Sequence, residues 1–276
     1  MTLAVRNSIL IAGAILTGAL VLAYAASGYT LLFGAYANEP FRVGEYQTWF
    51  GLQWSVRPLA AYRSLAAAGI LGLIATFGVA LSVRLFRRVS SAEIYFMTAF
   101  LISLAAELVR IGQPLVDIAG VPPYVGVVLS RIVLFWRLFG SLALFSAGIY
   151  SAGADYPRIG SVTLLLAALS FLIVYFVPVD SREISATFVH VTGDREAIDL
   201  MLGFLSLGTI VNYVIGWSRG HRERGGTIAL AAAALVVGSQ LVLHVPAIVA
   251  LSVGLALVAA GTASFLLVNR SYYLWY

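Results

Sequence analysis

Four ionisable residues fall inside long apolar runs: Glu107, Arg110, Arg131 and Arg137. A charge at the centre of a bilayer costs about 2.5–3.5 kcal/mol on insertion scales, so such residues mark ion pairs, ligand sites or conduction paths. Two of the four pair naturally. Glu107 lies 15 residues before Pro122 and Arg137 lies 15 residues after it. If Pro122 marks the turn of a helical hairpin, both sit about 22 Å from that turn at 1.5 Å per residue. A Glu107–Arg137 ion pair near mid-membrane is therefore expected, each charge offsetting the other's burial.

The remaining cations have no such partner. Glu107 and Arg110 are three residues apart and share a helix face, whereas Arg131 and Arg137 diverge by about 120° around theirs. One carboxylate does not readily serve three guanidiniums. Either Arg110 and Arg131 snorkel outward or are capped by carbonyls and Asp117, or they converge with Arg63 on an anionic group. A planar guanidinium fork suits a carboxylate or phosphate. In the second reading Arg63, Arg110, Arg131 and Trp136 form a ligand-binding site, with Phe135, Trp136 and Phe139 packing an apolar tail.

Other chemistries are excluded by absence. The chain has no cysteine, hence no disulfide and no thiolate metal site. All 17 basic residues are arginine, so a retinal-type lysine Schiff base is impossible. His190 and His244 fall toward one side and His221 toward the other. That rules out a three-histidine metal site and leaves only a two-histidine arrangement with Asp180 or Asp194. No nucleophile elbow, zinc-protease helix or phosphate loop occurs. No catalytic residue, metal or cofactor is assigned, and the pI of about 9.6 reflects arginine placement rather than nucleic-acid binding.

These residues must be positioned by membrane helices. Of 276 residues, 61% are hydrophobic and 11% charged, against about 25% charged in soluble domains. Apolar runs at roughly 8–34, 59–83, 93–118, 124–150, 159–178, 197–217, 226–243 and 247–270 are each long enough to span a bilayer. The sequence predicts an all-α polytopic integral membrane helix bundle of eight transmembrane helices. The first run is expected to be a retained span rather than a cleaved signal segment.

Arginine placement orients the bundle. With the N-terminus cytoplasmic, the inner side holds nine arginines and three acids, net +6, and the outer side five arginines and eight acids, net −3. Both termini are therefore expected in the cytoplasm, in a prokaryotic cytoplasmic membrane. The outer segment 35–58, rich in aromatics such as Trp49, Phe50 and Trp54, is expected to rest at headgroup level. The outer segment 179–196 is expected to contain a short extended piece.

The chain reads as a single membrane domain over 1–276, with a weak four-plus-four pseudo-repeat, about 1–155 and 156–276, whose Pro-bearing turns are Val121–Val125 and Val245–Val249. Gly13, Gly18, Gly69, Gly72, Gly254 and Gly261 permit close helix packing within the fold or in a homo-oligomer. The inner basic loops at Arg84–Arg88 and Arg219–Arg224 act first as topology determinants, and secondarily as sites for anionic headgroups or a membrane partner. The leading expectation is a non-enzymatic membrane protein that recognises an anionic small molecule or lipid and transports it. The alternatives are a sensor or accessory subunit signalling through a separate partner, and a membrane enzyme acting on a lipid-linked substrate.

Overall fold

A computed structural model of the protein describes residues 2–33, 46–50, 52–55, 58–89, 91–154, 158–193, 195–219 and 225–274. Chain order is α1 (Leu3–Phe33), β1 (Tyr46–Trp49), β2 (Leu52–Ser55), α2 (Pro58–Leu85), α3 (Ala92–Ala106), a 3₁₀ segment (Glu107–Ile111), α4 (Gly112–Ile118) and α5 (Pro123–Ser151). It continues with α6 (Ile159–Phe176), β3 (Val179–Ile184), β4 (His190–Thr192), α7 (Arg195–Ser218), α8 (Gly225–His244) and α9 (Ile248–Leu274).

Among the described residues eight helical segments are long and apolar enough to cross a membrane. Their outward side chains are of the kind that only lipid tolerates. Leu22, Phe77, Leu164, Phe176, Phe204 and Leu230 are each more than 70% exposed, which in water would form a large aggregating patch. The protein is a polytopic, all-α membrane bundle.

Consecutive spans reverse direction, so the β1–β2 and β3–β4 segments, the α4–α5 turn and the α8–α9 turn gather at one end, called here the hairpin end. Burial ranks the helices. The third span (α3 to α4) is 89% buried, while α1 and α6 are 17% buried and peripheral. The core wraps α3 with Leu71, Leu142, Ala143, Leu235 and Phe265 from its neighbours. Both halves of the chain run helix, hairpin, helix, helix, helix, yet they pack differently: α1 lies against α2, whereas α6 packs on α5.

Local chemistry explains the boundaries. Ser91 caps α3 by accepting from the Ile94 N–H at 3.4 Å, with Glu93 in the first turn where the helix dipole favours a negative charge. Pro123 starts α5 at a position where its missing N–H costs nothing. Arg6 closes the far end of α2 by donating to the carbonyls of Phe86, at 3.0 Å, and Val89. Glycines bring α8 and α9 to backbone contact: a Cβ on Gly238 would sit 2.7 Å from the Gly254 carbonyl, and one on Gly254 2.8 Å from that of Gly238. The small residues Gly13, Gly72, Gly254 and Gly261 thus face neighbouring helices inside the fold.

Three features go beyond the sequence reading. The third span is not one continuous α-helix, because Pro114 cannot donate to the Arg110 carbonyl and the preceding turn tightens to 3₁₀. The segment around residue 50 forms an antiparallel hairpin whose tip docks on the bundle. The outer segment 179–196 contains extended pieces, β3 and β4, and the 185–190 stretch joining them folds inward. Ser185 through His190 are all buried, and Phe188, at φ 57°, inserts among Leu31, Ala61, Leu65 and Ile111. Irregular backbone at such depth is tolerated only where protein encloses it.

Candidate functional site

The 3₁₀ segment and α5 meet at Glu107 and Arg137. Arg137 Nε donates to Glu107 Oε1 at 2.6 Å and Nη2 donates to Oε2 at 3.0 Å. This is the bidentate fork of a strong carboxylate–guanidinium pair. Arg110 lies on the other side of the same carboxylate, its Nη1 4.0 Å from Glu107 Oε2. In a 3₁₀ helix residues i and i+3 eclipse, which aligns Arg110 beneath Glu107. The Arg110 side chain is 0% exposed, and none of its three nitrogens has a hydrogen-bond partner among the described residues. Its other polar neighbour is Tyr24, whose hydroxyl donates to the Leu65 carbonyl.

Arg137 forms part of the wall of a cavity of about 60 Å³ at the hairpin end. The cavity is lined by Ser130 and Arg137 from α5, Ser185, Thr187 and His190 from the inserted loop, Arg195 and Asp199 from α7, and His244 from the end of α8. Arg195 and Asp199 are one helical turn apart and attract each other, and Arg195 also feels Arg137 across the space. The backbone of Phe50 lies close to the Asp199 carboxylate. A second cavity of about 20 Å³ shares Arg137, Leu202 and His244 with the first and adds Glu107, Trp136, Ser141, Ser239 and Gln240. A third of about 10 Å³ shares Ser141, Ser239 and Gln240 with the second and reaches Ser206 and Thr209. A water needs about 10–15 Å³ of such space. The three cavities lie in succession along α5, α7 and α8, linked by shared lining residues, with Arg137 on the wall of the first two.

The hairpins roof this end. Trp49 stacks on His244 with ring centroids 5.4 Å apart and planes 13° from parallel. Phe50 packs on Gly203, where an added Cβ would come within 2.8 Å of its ring. Gly126 of α5 leaves room beneath the second hairpin for Gln113 and His190, whose Nε2 atoms are 3.0 Å apart. A Cβ there would lie 2.6 Å from the former and 2.9 Å from the latter. The His190 backbone N–H donates to Ser130 Oγ at 2.9 Å. Burial holds the His190 imidazole below the ordinary histidine range, against the opposing pull of Asp180 and Glu183.

The residues singled out from sequence are therefore dispersed. Glu107 and Arg137 are together, with Arg110 beside them and Trp136 lining the second cavity. Arg63 and Arg131 are half-buried and line none of the three cavities, and Arg131 Nε is buried without a hydrogen-bond partner among the described residues. Sequence reasoning passed over Arg195, Asp199 and Ser130 as cavity-lining groups. The charge count places Arg195 and Asp199 simply among the outer-side charges. Their i, i+4 spacing at the start of an apolar run was the available signal. Among the described residues no cluster of three His, Asp or Glu is placed to hold a metal. Asp194, His221 and the Trp54 side chain lie outside the described residues.

Comparison with known proteins adds one likeness. An uncharacterized protein of Treponema pallidum (strain Nichols) is 33% identical over 129 residues, 42% of this chain and 37% of that protein. The chain thus spans little more than a third of that relative's length. No described protein family matches the chain, and no solved structure matches it.

Proposed function

We propose that the protein is a membrane transporter that takes a small anionic group into the cavity at the hairpin end, held between Arg137 and Arg195. The observation that carries this reading is the cavity itself: two guanidiniums and several hydroxyls facing one space of about 60 Å³, a size that fits a carboxylate or phosphate group. The two smaller cavities that follow along α5 and α8 favour transport over sensing, because a receptor pocket has no need of further cavities inside the bundle. The distribution of arginines supports cytoplasmic termini, which would turn the hairpin end and its cavity outward in a prokaryotic cytoplasmic membrane.

Purified protein in nanodiscs tests the binding step. Titration with acetate, benzoate and inorganic phosphate should raise the unfolding temperature, and Arg195→Gln should weaken the tightest of these by about tenfold, as expected for one charge-assisted contact. No binding by any probe, or unchanged affinity in Arg195→Gln, would defeat the reading. Binding without uptake of the same labelled anion into proteoliposomes would assign the cavity to a sensor or accessory subunit instead.

A further inference from the structure

The arrangement around Glu107 contains one carboxylate and two guanidiniums, so the triad carries a net charge of +1 in a buried place. The second charged pair at the cavity, Arg195 with Asp199, is neutral as a unit. Arg110, fully enclosed and without a hydrogen bond, is the group that bears the imbalance. A buried guanidinium left so is costly, and arginine does not relieve the cost by giving up its proton. Its position is nonetheless well prepared. The 3₁₀ turn stacks it under Glu107, and the 4.0 Å gap between Nη1 and Oε2 is about 1 Å beyond an ordinary hydrogen bond.

We propose that Glu107 is a movable internal counter-ion: a singly charged anion entering the cavity replaces it on Arg137, and Glu107 passes to Arg110. This rests on the anion-binding reading above and names the ligand class. Before entry, Glu107 occupies the guanidinium fork of Arg137, a residue that lines both cavities. After the exchange Arg137 holds the incoming anion, Arg110 gains the bond it lacks, and the net +1 falls to zero. A dianion would overshoot to −1 and rebuild the imbalance with opposite sign. The site thus selects small monoanions, carboxylates foremost, because their planar pair of oxygens matches the fork that the Glu107 carboxylate itself fills. Arg110 in this scheme is a positioning residue that acts through Glu107 and need not touch the ligand.

The experiment uses full-length protein in nanodiscs with sodium formate and acetate as monoanion probes and sulfate as the dianion. The wild type should bind formate and acetate at least tenfold more tightly than sulfate. Arg110→Met, which leaves Glu107 no second partner, should bind the monoanions at least tenfold more weakly while unfolding at a higher temperature without anion. Infrared difference spectra of the wild type on adding formate should show the Glu107 carboxylate bands shifting, assigned by their loss in Glu107→Gln. Formate binding equally to wild type and Arg110→Met, or leaving those bands unmoved, overturns the exchange while the cavity reading stands. Sulfate binding more tightly than formate overturns the charge argument, and no monoanion binding to the wild type overturns both proposals. If Arg110→Met does not fold, the wild-type spectra alone decide.

Discussion

Removing the members of the Glu107 triad one at a time should give unequal losses of stability, and the inequality can be worked from the geometry. Glu107→Gln strands two cations at once. Arg137, 10% exposed, retains some access to the cavity, but Arg110 is 0% exposed and has none. Breaking a buried ion pair from one side costs about 3–5 kcal/mol, and with two stranded cations the upper end applies. Arg137→Met removes only the nearer partner. Glu107 can then close the 4.0 Å gap to Arg110, recovering a charge-assisted bond of about 1.5–3 kcal/mol and leaving a loss of about 1–3 kcal/mol. The double variant strands Arg110 alone and should fall between the two single variants. Unfolding free energies in mixed micelles, followed by tryptophan emission, provide the assay. If the losses simply add in the double variant, to about 6–8 kcal/mol, the residues are energetically independent and the reasoning fails.

Three further outcomes follow from other parts of the structure. Reporter fusions at residue 276 and near residue 187 should report opposite sides of the membrane, with residue 276 cytoplasmic; the same side for both would reverse the topology. Gly126→Ala should loosen the inserted loop, because its Cβ would come within 2.6 Å of Gln113 Nε2 and 2.9 Å of His190 Nε2. A loss of about 1–3 kcal/mol and faster amide exchange across 185–190 would be the signature, and wild-type exchange would contradict it. Stability should also fall on acidification from the ordinary histidine range downward, since burial keeps folded His190 neutral at pH values where the unfolded chain takes up a proton. That contribution is complete above about pH 6.5 and is lost as pH drops toward the lowered folded value. His190→Asn should flatten the dependence, which a denaturation series at several pH values measures.

The membrane class and the spans were legible because each apolar run announces itself over about 20 residues, and no tertiary information is needed to find it. The common depth of Glu107 and Arg137 could be counted from Pro122, since the five-residue 3₁₀ stretch changes the rise by only about 0.5 Å per residue and the turn is short. What counting could not provide was direction off the helix axis. Arg63, Arg110 and Arg131 share the hairpin half of the membrane, yet only Arg110 turns toward Glu107. The 3₁₀ segment was hidden for a different reason. Its cause, Pro114, stands within an apolar run whose hydropathy is unaffected by one missing N–H. The cavity was least visible of all, because its lining comes from α5, α7, α8 and a loop that hydropathy assigns to water. His190 reads as a polar loop residue until Gly126 is seen to make space for it.

The inward fold of residues 185–190 bears on how the protein is made. The notch that Phe188 fills is built from Leu31, Ala61, Leu65 and Ile111, all of them synthesised at least 77 residues earlier. While the chain is still emerging from the ribosome, α1 to α5 can enter the bilayer with that apolar notch unfilled. It closes only after α6 and the segment that follows it have been made and Phe188 has packed against α1, α2 and the 3₁₀ segment. The bundle at this end is thus completed late, when the protein's own phenylalanine takes the notch. Until that step is complete, neither His190 nor the cavity it lines exists in finished form.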